Sequence, residues 1–244
     1  MTQLTPFRQR FLADPLTLRN ERRDFPEWHL GRPHYVLWAL DVDTSAVSAR
    51  IAAAQQALDG LLLDGYQRQP HITLALCGFP AQACAPAQDE FDHHLIVSQV
   101  TALQSQGLAA FDIEIGGLES FSSAPFLTVH EGQGAFATLR RCLHVEGPHP
   151  QRPYVPHLTV GLYADAWPSA EVADRFAQLA AAPRLHHRVT RLSLLGYDAA
   201  KIGGALFTIA EYALETGRMH WHAPLAADAA RCITQSACSP PIAR

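Results

Sequence analysis

One pattern constrains this chain more than any other. Pro-His-apolar-Thr-apolar occurs twice, in "QPHITLAL" from Gln69 to Leu76 and in "VPHLTVGL" from Val155 to Leu162. Each copy opens a similar series of predicted elements. Residues 71–131 read strand, helix, strand, glycine-containing turn, strand, and residues 157–214 read the same. Two copies of this length are too long and too few for a solenoid. A two-lobed α+β body is the better expectation.

The individual elements follow from periodicity. "HYVLWALDV" (34–42) and "HITLALCGF" (71–79) are apolar runs of strand length. Between them Val47, Ile51, Ala54 and Leu58 recur at helical spacing, with Asp43 or Thr44 as the cap. "AQDEFDHHLIVSQVTALQSQG" reads as a helix ending near Gly107, and "FDIEI" (111–115) alternates as a half-buried strand. Gly116-Gly117 and the following Ser-Ser-Ala-Pro mark turns before "FLTVH" (126–130). Phe136, Leu139 and Leu143 give the next helix its apolar stripe. "YVPHLTVGLY" (154–163) is a strand, and a helix with Pro168 in its first turn carries Val172, Phe176 and Leu179. "VTRLSLLGY" and "LFTIAEYAL" close the series as strands. Residues 1–33 read as a loosely packed, Arg-rich N-terminal extension, 34–216 as the bilobal domain, and 217–244 as a mostly irregular tail.

On a strand, residues i and i+2 share a face, about 6.6 Å apart. His71 therefore stands beside Thr73, and His157 beside Thr159, while Ile72, Leu74, Leu158 and Val160 turn into packing. Pro70 and Pro156 mark a strand start or an edge, where side chains reach a cleft. A bare His-x-Thr is expected on the order of once by chance in such a composition. The longer pattern, placed twice at matching points of a repeat, is far rarer. Two imidazoles facing one cleft suit phosphodiester chemistry, which needs one proton removed and another delivered. Two hydroxyls can donate to the non-bridging oxygens as their charge grows. Such a set needs no metal and no other cofactor.

With these residues the chain resembles the 2H phosphoesterase superfamily, and in particular its 2'-5' RNA ligase-like branch, over about residues 34–214. The resemblance implies two pseudo-symmetric lobes, each an antiparallel sheet with flanking helices, around a central groove. It implies metal-independent cleavage or ligation at 2',3'-cyclic phosphates, 2'-5' linkages or related nucleotide cyclic phosphates. His71 and His157 become the catalytic acid/base pair, and Thr73 and Thr159 the phosphate donors. The expected partners are RNA ends or small nucleotide cyclic phosphates. The alternative is a non-catalytic module that binds a nucleotide or an RNA end on the same fold.

Beside the motifs, Arg68 and Arg152 are candidates to hold a substrate phosphate, and Tyr154 to stack on a base. "RLHHRVTR" (184–191) is the most basic strand-like run, and a solvated strand end is the expected reading. His93-His94, His186-His187 and "HWH" (220–222) carry no accompanying metal-site pattern, so no metal centre is expected. A net charge of −4 argues against a broad surface for long nucleic acid. Five cysteines without a CxxC, no signal peptide and no membrane-length apolar run point to free thiols in the cytoplasm.

Overall fold

A computed structural model describes residues 4–81, 89–144, 154–179 and 182–223. Two sheets carry the fold. The first contains β1 (His34–Asp41), β2 (His71–Pro80), β3 (Glu90–Phe91), β8 (Arg191–Asp198), β9 (Leu206–Ala213) and β10 (Arg218–Trp221), in the order β10-β9-β8-β1-β2-β3. The second contains β4 (Phe111–Ser120), β5 (Pro125–His130), β6 (His157–Thr159) and β7 (Leu185–Val189), in the order β6-β5-β4-β7. All pairs are antiparallel except the short β2–β3 pair, which is parallel.

The two sequence repeats are not the two lobes. β2 lies in the first sheet, but the β4–β5 pair that follows it lies in the second. β6 lies in the second sheet, but β8 and β9 return to the first. Each motif strand thus shares a sheet with the pair that follows the other motif. One continuous core results, joining Trp38, Leu40, Ile72 and Leu74 to Ile113, Ile115, Leu127 and Leu158.

Helices α3 (Ser45–Ala57) and α4 (His93–Gln106) have side-chain caps: Thr44 accepts from the Val47 amide at 3.3 Å and Asp92 from the Leu95 amide at 3.2 Å. Asp92 places the start of α4 later than the apolar pattern suggests, because Glu90 and Phe91 pair with β2 instead. The Trp38 indole donates to Gln99 on α4 at 2.8 Å, which satisfies a fully buried N–H. Helices α5 (Ala135–Cys142) and α6 (Ser169–Arg175), with a 3₁₀ turn at Phe176–Leu179, follow the expected stripes.

Several expectations are corrected. Gly116 and Gly117 are not a turn; β4 runs through them to Ser120, with a register shift between Ile115 and Leu118. Only His157–Thr159 of the "YVPHLTVGLY" run is strand, and Tyr163 instead bridges to Leu62. Residues beyond 216 are not all irregular, since β10 extends the first sheet by pairing with β9. Residues 224–244 of the expected tail lie outside the described residues.

The N-terminal extension is docked. Helix α1 (Pro6–Ala13) buries Phe11 to 1% exposure against Phe176, and sets Phe7 edge-on to Phe126 at 5.8 Å. Thr5 and Arg8 both bond the buried Glu119 carboxylate, at 2.7 and 3.1 Å. A second short helix, α2 (Pro26–His29), precedes Arg32, whose guanidinium pairs with Asp89 and Glu90. The Thr-Pro start and the Phe7/Phe11 spacing of one helical turn are the sequence signal for this docking.

Candidate active site

The site forms where two strand edges meet. β6 is an edge strand of the second sheet, and β2 pairs with β3 only at Phe79 and Pro80, so its His71 end has no strand partner on that side among the described residues. Cα atoms of β2 and β6 approach within 8 Å of one another. In the register, His71 pairs with Asp41 and Thr73 with Ala39, while His157 pairs with Thr128 and Thr159 with Phe126. Both His-x-Thr pairs therefore stand on rigid strands.

The proline before each histidine has a second consequence. A residue preceding proline is confined to extended backbone. Gln69 and Val155 hold those places, and each turns its carbonyl toward the ring two residues on. His71 Nδ1–H donates to the Gln69 carbonyl at 2.8 Å, and His157 Nδ1–H donates to the Val155 carbonyl at 2.7 Å. A carbonyl can only accept, so Nδ1 must carry the proton in both rings. Each neutral imidazole then presents its lone pair at Nε2. The two motifs thus fix the same tautomer by the same local device.

Their surroundings differ. His71 is 8% exposed, and burial pushes its pKa down to about 4. The Gln69 carbonyl and Asp41 oppose that fall, while the charges of Arg68 and His157 add to it. His157 is half-buried, and burial lowers its pKa against the pull of the Val155 carbonyl. Its ring is braced edge-on by Phe121 at 5.0 Å and Phe126 at 5.6 Å, and those two rings stack at 4.3 Å.

Arg68 joins this group. Its guanidinium lies over the Tyr197 ring at 4.1 Å, and its buried Nε has no hydrogen-bond partner among the described residues. Tyr154 is placed differently from a stacking platform. Its hydroxyl donates to the Thr73 carbonyl at 2.8 Å, and Arg140 covers its ring at 4.0 Å. Arg152 lies outside the described residues. Arg140, Phe121 and Tyr197 escaped sequence reasoning, because only the tertiary fold brings α5, the β4–β5 connection and β8 to the motifs.

His220 and His222 lie 3.4 Å apart near Glu211, and among the described residues no group of three His, Cys, Asp or Glu is arranged to hold a metal ion. Two arginines of the basic run are paired across strands, Arg184 with Glu114 and Arg188 with Asp112. Among the described residues no helix is long and apolar enough to cross a membrane.

Comparison with known proteins gives the family. No curated protein matches the chain. Among solved structures, TT0787 of Thermus thermophilus is 17% identical, with a TM-score of 0.49 over 74% of this chain and 98% of that one. E. coli LigT complexed with phosphate is 14% identical, with a TM-score of 0.46 over 75% and 98%. E. coli LigT complexed with 3'-AMP is 14% identical, with a TM-score of 0.47 over 74% and 98%. The family model described as the 2'-5' RNA ligase superfamily matches residues 43–201, which take in both His-x-Thr strands. The chain belongs to that superfamily, the 2H phosphoesterases.

Proposed function

We propose that this protein is a metal-independent phosphodiesterase that acts on 2',3'-cyclic phosphate or 2'-5' linked ends of RNA or nucleotides. The observation that carries the reading is the matched pair of Nδ1–H bonds, which leaves Nε2 of both histidines available for proton transfer on two strands that approach within 8 Å. Two imidazoles can supply both proton transfers, so the chemistry calls for no Lewis acid.

The difference in burial supports one division of roles. His71, the more deeply buried ring, stays neutral and takes the proton from the attacking water. His157 is the more readily protonated, and an anionic phosphate bound beside it offsets the lowering by burial. It gives its proton to the departing ribose oxygen. The Thr73 and Thr159 hydroxyls donate to the non-bridging oxygens at the five-coordinate stage. Arg68 supplies a fixed positive charge on the His71 side.

The test is a product analysis. Cyclic mononucleotides, cyclic-phosphate-ended RNA and 2'-5' oligoadenylate are incubated with the wild type, His71→Ala and His157→Ala. The expected result is a phosphomonoester or cleaved linkage from the wild type, and a loss of about 10²–10⁴-fold in each variant. Full activity in either variant overturns the reading. Saturable binding of these ligands without any product would favour a binding module instead.

A further inference from the structure

β2 carries an irregularity beside its motif. Trp38 pairs with Ala75 and Ala39 pairs with Thr73, so Leu74 is an extra residue on β2. In a regular strand, successive carbonyls point to opposite edges. At this bulge two successive carbonyls, those of Thr73 and Leu74, both take partners from the segment that leads into β6 and from α5. The Tyr154 hydroxyl donates to Thr73, and Arg140 Nη1 donates to Leu74. Arg140 also lies over the Tyr154 ring at 4.0 Å, and the Phe136 ring is tilted against it at 6.1 Å.

We propose that Tyr154 and Arg140 are positioning residues that fix the separation of the two motif histidines by clamping the β2 bulge. The proposal rests on the two-histidine reading above and deepens it. Tyr154 stands three residues before His157, and Thr73 two residues after His71. The Tyr154–Thr73 bond is therefore a short mechanical link from one imidazole to the other. Misplacement of reacting groups by about 1 Å can cost about 10²-fold in rate, so a link of this kind acts on turnover more than on affinity. Bulges of this sort re-aim side chains beside functional sites. Here the bulge also exposes the acceptors by which the second lobe holds the first. Neither clamp residue needs to touch the substrate.

Tyr154→Phe keeps the ring and removes one oxygen. Arg140→Met keeps much of the length and removes the donor. The expected result for each is a fall in kcat of about tenfold or more, with KM changed less than threefold and the unfolding midpoint close to that of the wild type. Arg140→Lys restores only part of the rate, since it loses the planar fork and the ring contact. Wild-type kcat in Tyr154→Phe, beside inactive His71→Ala and His157→Ala, overturns the clamp and leaves the phosphodiesterase reading standing. If the wild type turns over none of the substrates, that reading fails, and the clamp is decided by nuclear magnetic resonance titration of His71. A loosened joint admits water, so the His71 pKa rises toward its ordinary value in Tyr154→Phe; an unmoved titration overturns the clamp.

Discussion

His157 acts on the charge of His71: the positive charge of a protonated His157 is among the forces that keep His71 neutral. Burial is the larger force, and together they bring the His71 pKa to about 4, against about 6.5 in an unfolded chain. Between those values the unfolded state binds a proton that the folded state does not. Stability therefore falls as pH drops from about 6.5 to about 4, and levels off below. The contribution of His71 over that window is about 3 kcal/mol. Denaturant unfolding at several pH values between 7 and 4 measures it. His71→Gln should flatten the dependence, and an equally steep slope in that variant would remove His71 as its source.

The same asymmetry sets the expected pH profile of turnover. The base limb falls away only near pH 4, where His71 gains a proton. The acid limb falls away as His157 loses its proton, below the ordinary imidazole value in the unliganded protein. The kcat/KM profile is expected to be a bell with its maximum on the acidic side of pH 6.5. A maximum above pH 8 would reverse or remove the assignment of roles.

Arg68 offers a charge that pairs with no carboxylate among the described residues. Its guanidinium lies over the Tyr197 ring, and its buried Nε has no partner among the described residues. A hydrogen bond between charged groups contributes about 1.5–3 kcal/mol. Arg68→Met is thus expected to raise KM for a phosphate-bearing substrate by about 10- to 100-fold. It should also let the His71 pKa rise, because the Arg68 charge is one of the forces holding it down. A raised KM without a shift in His71 titration would place Arg68 farther from the reacting centre.

The sequence carried the motif faces, the paired strands and most helices, since these rest on local periodicity and on caps such as Thr44. The exchange of strands between repeats was not legible, because β2 and β6 look equally able to pair with either neighbouring hairpin. Nor was the contact that the Tyr154 hydroxyl makes. A tyrosine beside a motif reads as a stacking surface until the bulge at Leu74 shows which carbonyl its hydroxyl meets. Gly116-Gly117 misled for a related reason. Glycine pairs signal turns, but here the first glycine serves a close approach between strands.

The docked N-terminal helix makes a separate prediction. Removing residues 1–13 exposes the surface that Phe11 covers, worth about 1.5–3 kcal/mol for a fully buried phenylalanine. It also strands Glu119, whose side chain is 8% exposed and loses both Thr5 and Arg8. A buried charge without its partner is costly. The truncated chain is expected to be less stable by about 3–5 kcal/mol. Adding Glu119→Gln should return part of that loss, and an unchanged unfolding midpoint on truncation would show that the helix is not held as described.

Neighbouring glycines in β4 give a paired test of the second motif's support. A Cβ on Gly116 would stand 2.5 Å from Thr128 Oγ1, whereas one on Gly117 meets nothing within 4 Å. Thr128 is the residue that pairs with His157. Gly116→Ala must therefore push Thr128, and with it the strand contact that seats His157. A loss of about 1–3 kcal/mol is expected from such overpacking, together with a fall in kcat. Gly117→Ala should leave stability unchanged or raise it by about 0.4–1 kcal/mol, by restricting the unfolded chain. Thr128→Ala removes the clashing oxygen, so Gly116→Ala/Thr128→Ala should be more stable than Gly116→Ala alone. Equal stabilities in Gly116→Ala and Gly117→Ala would mean that β4 and β5 are not as close at this point as the structure has them.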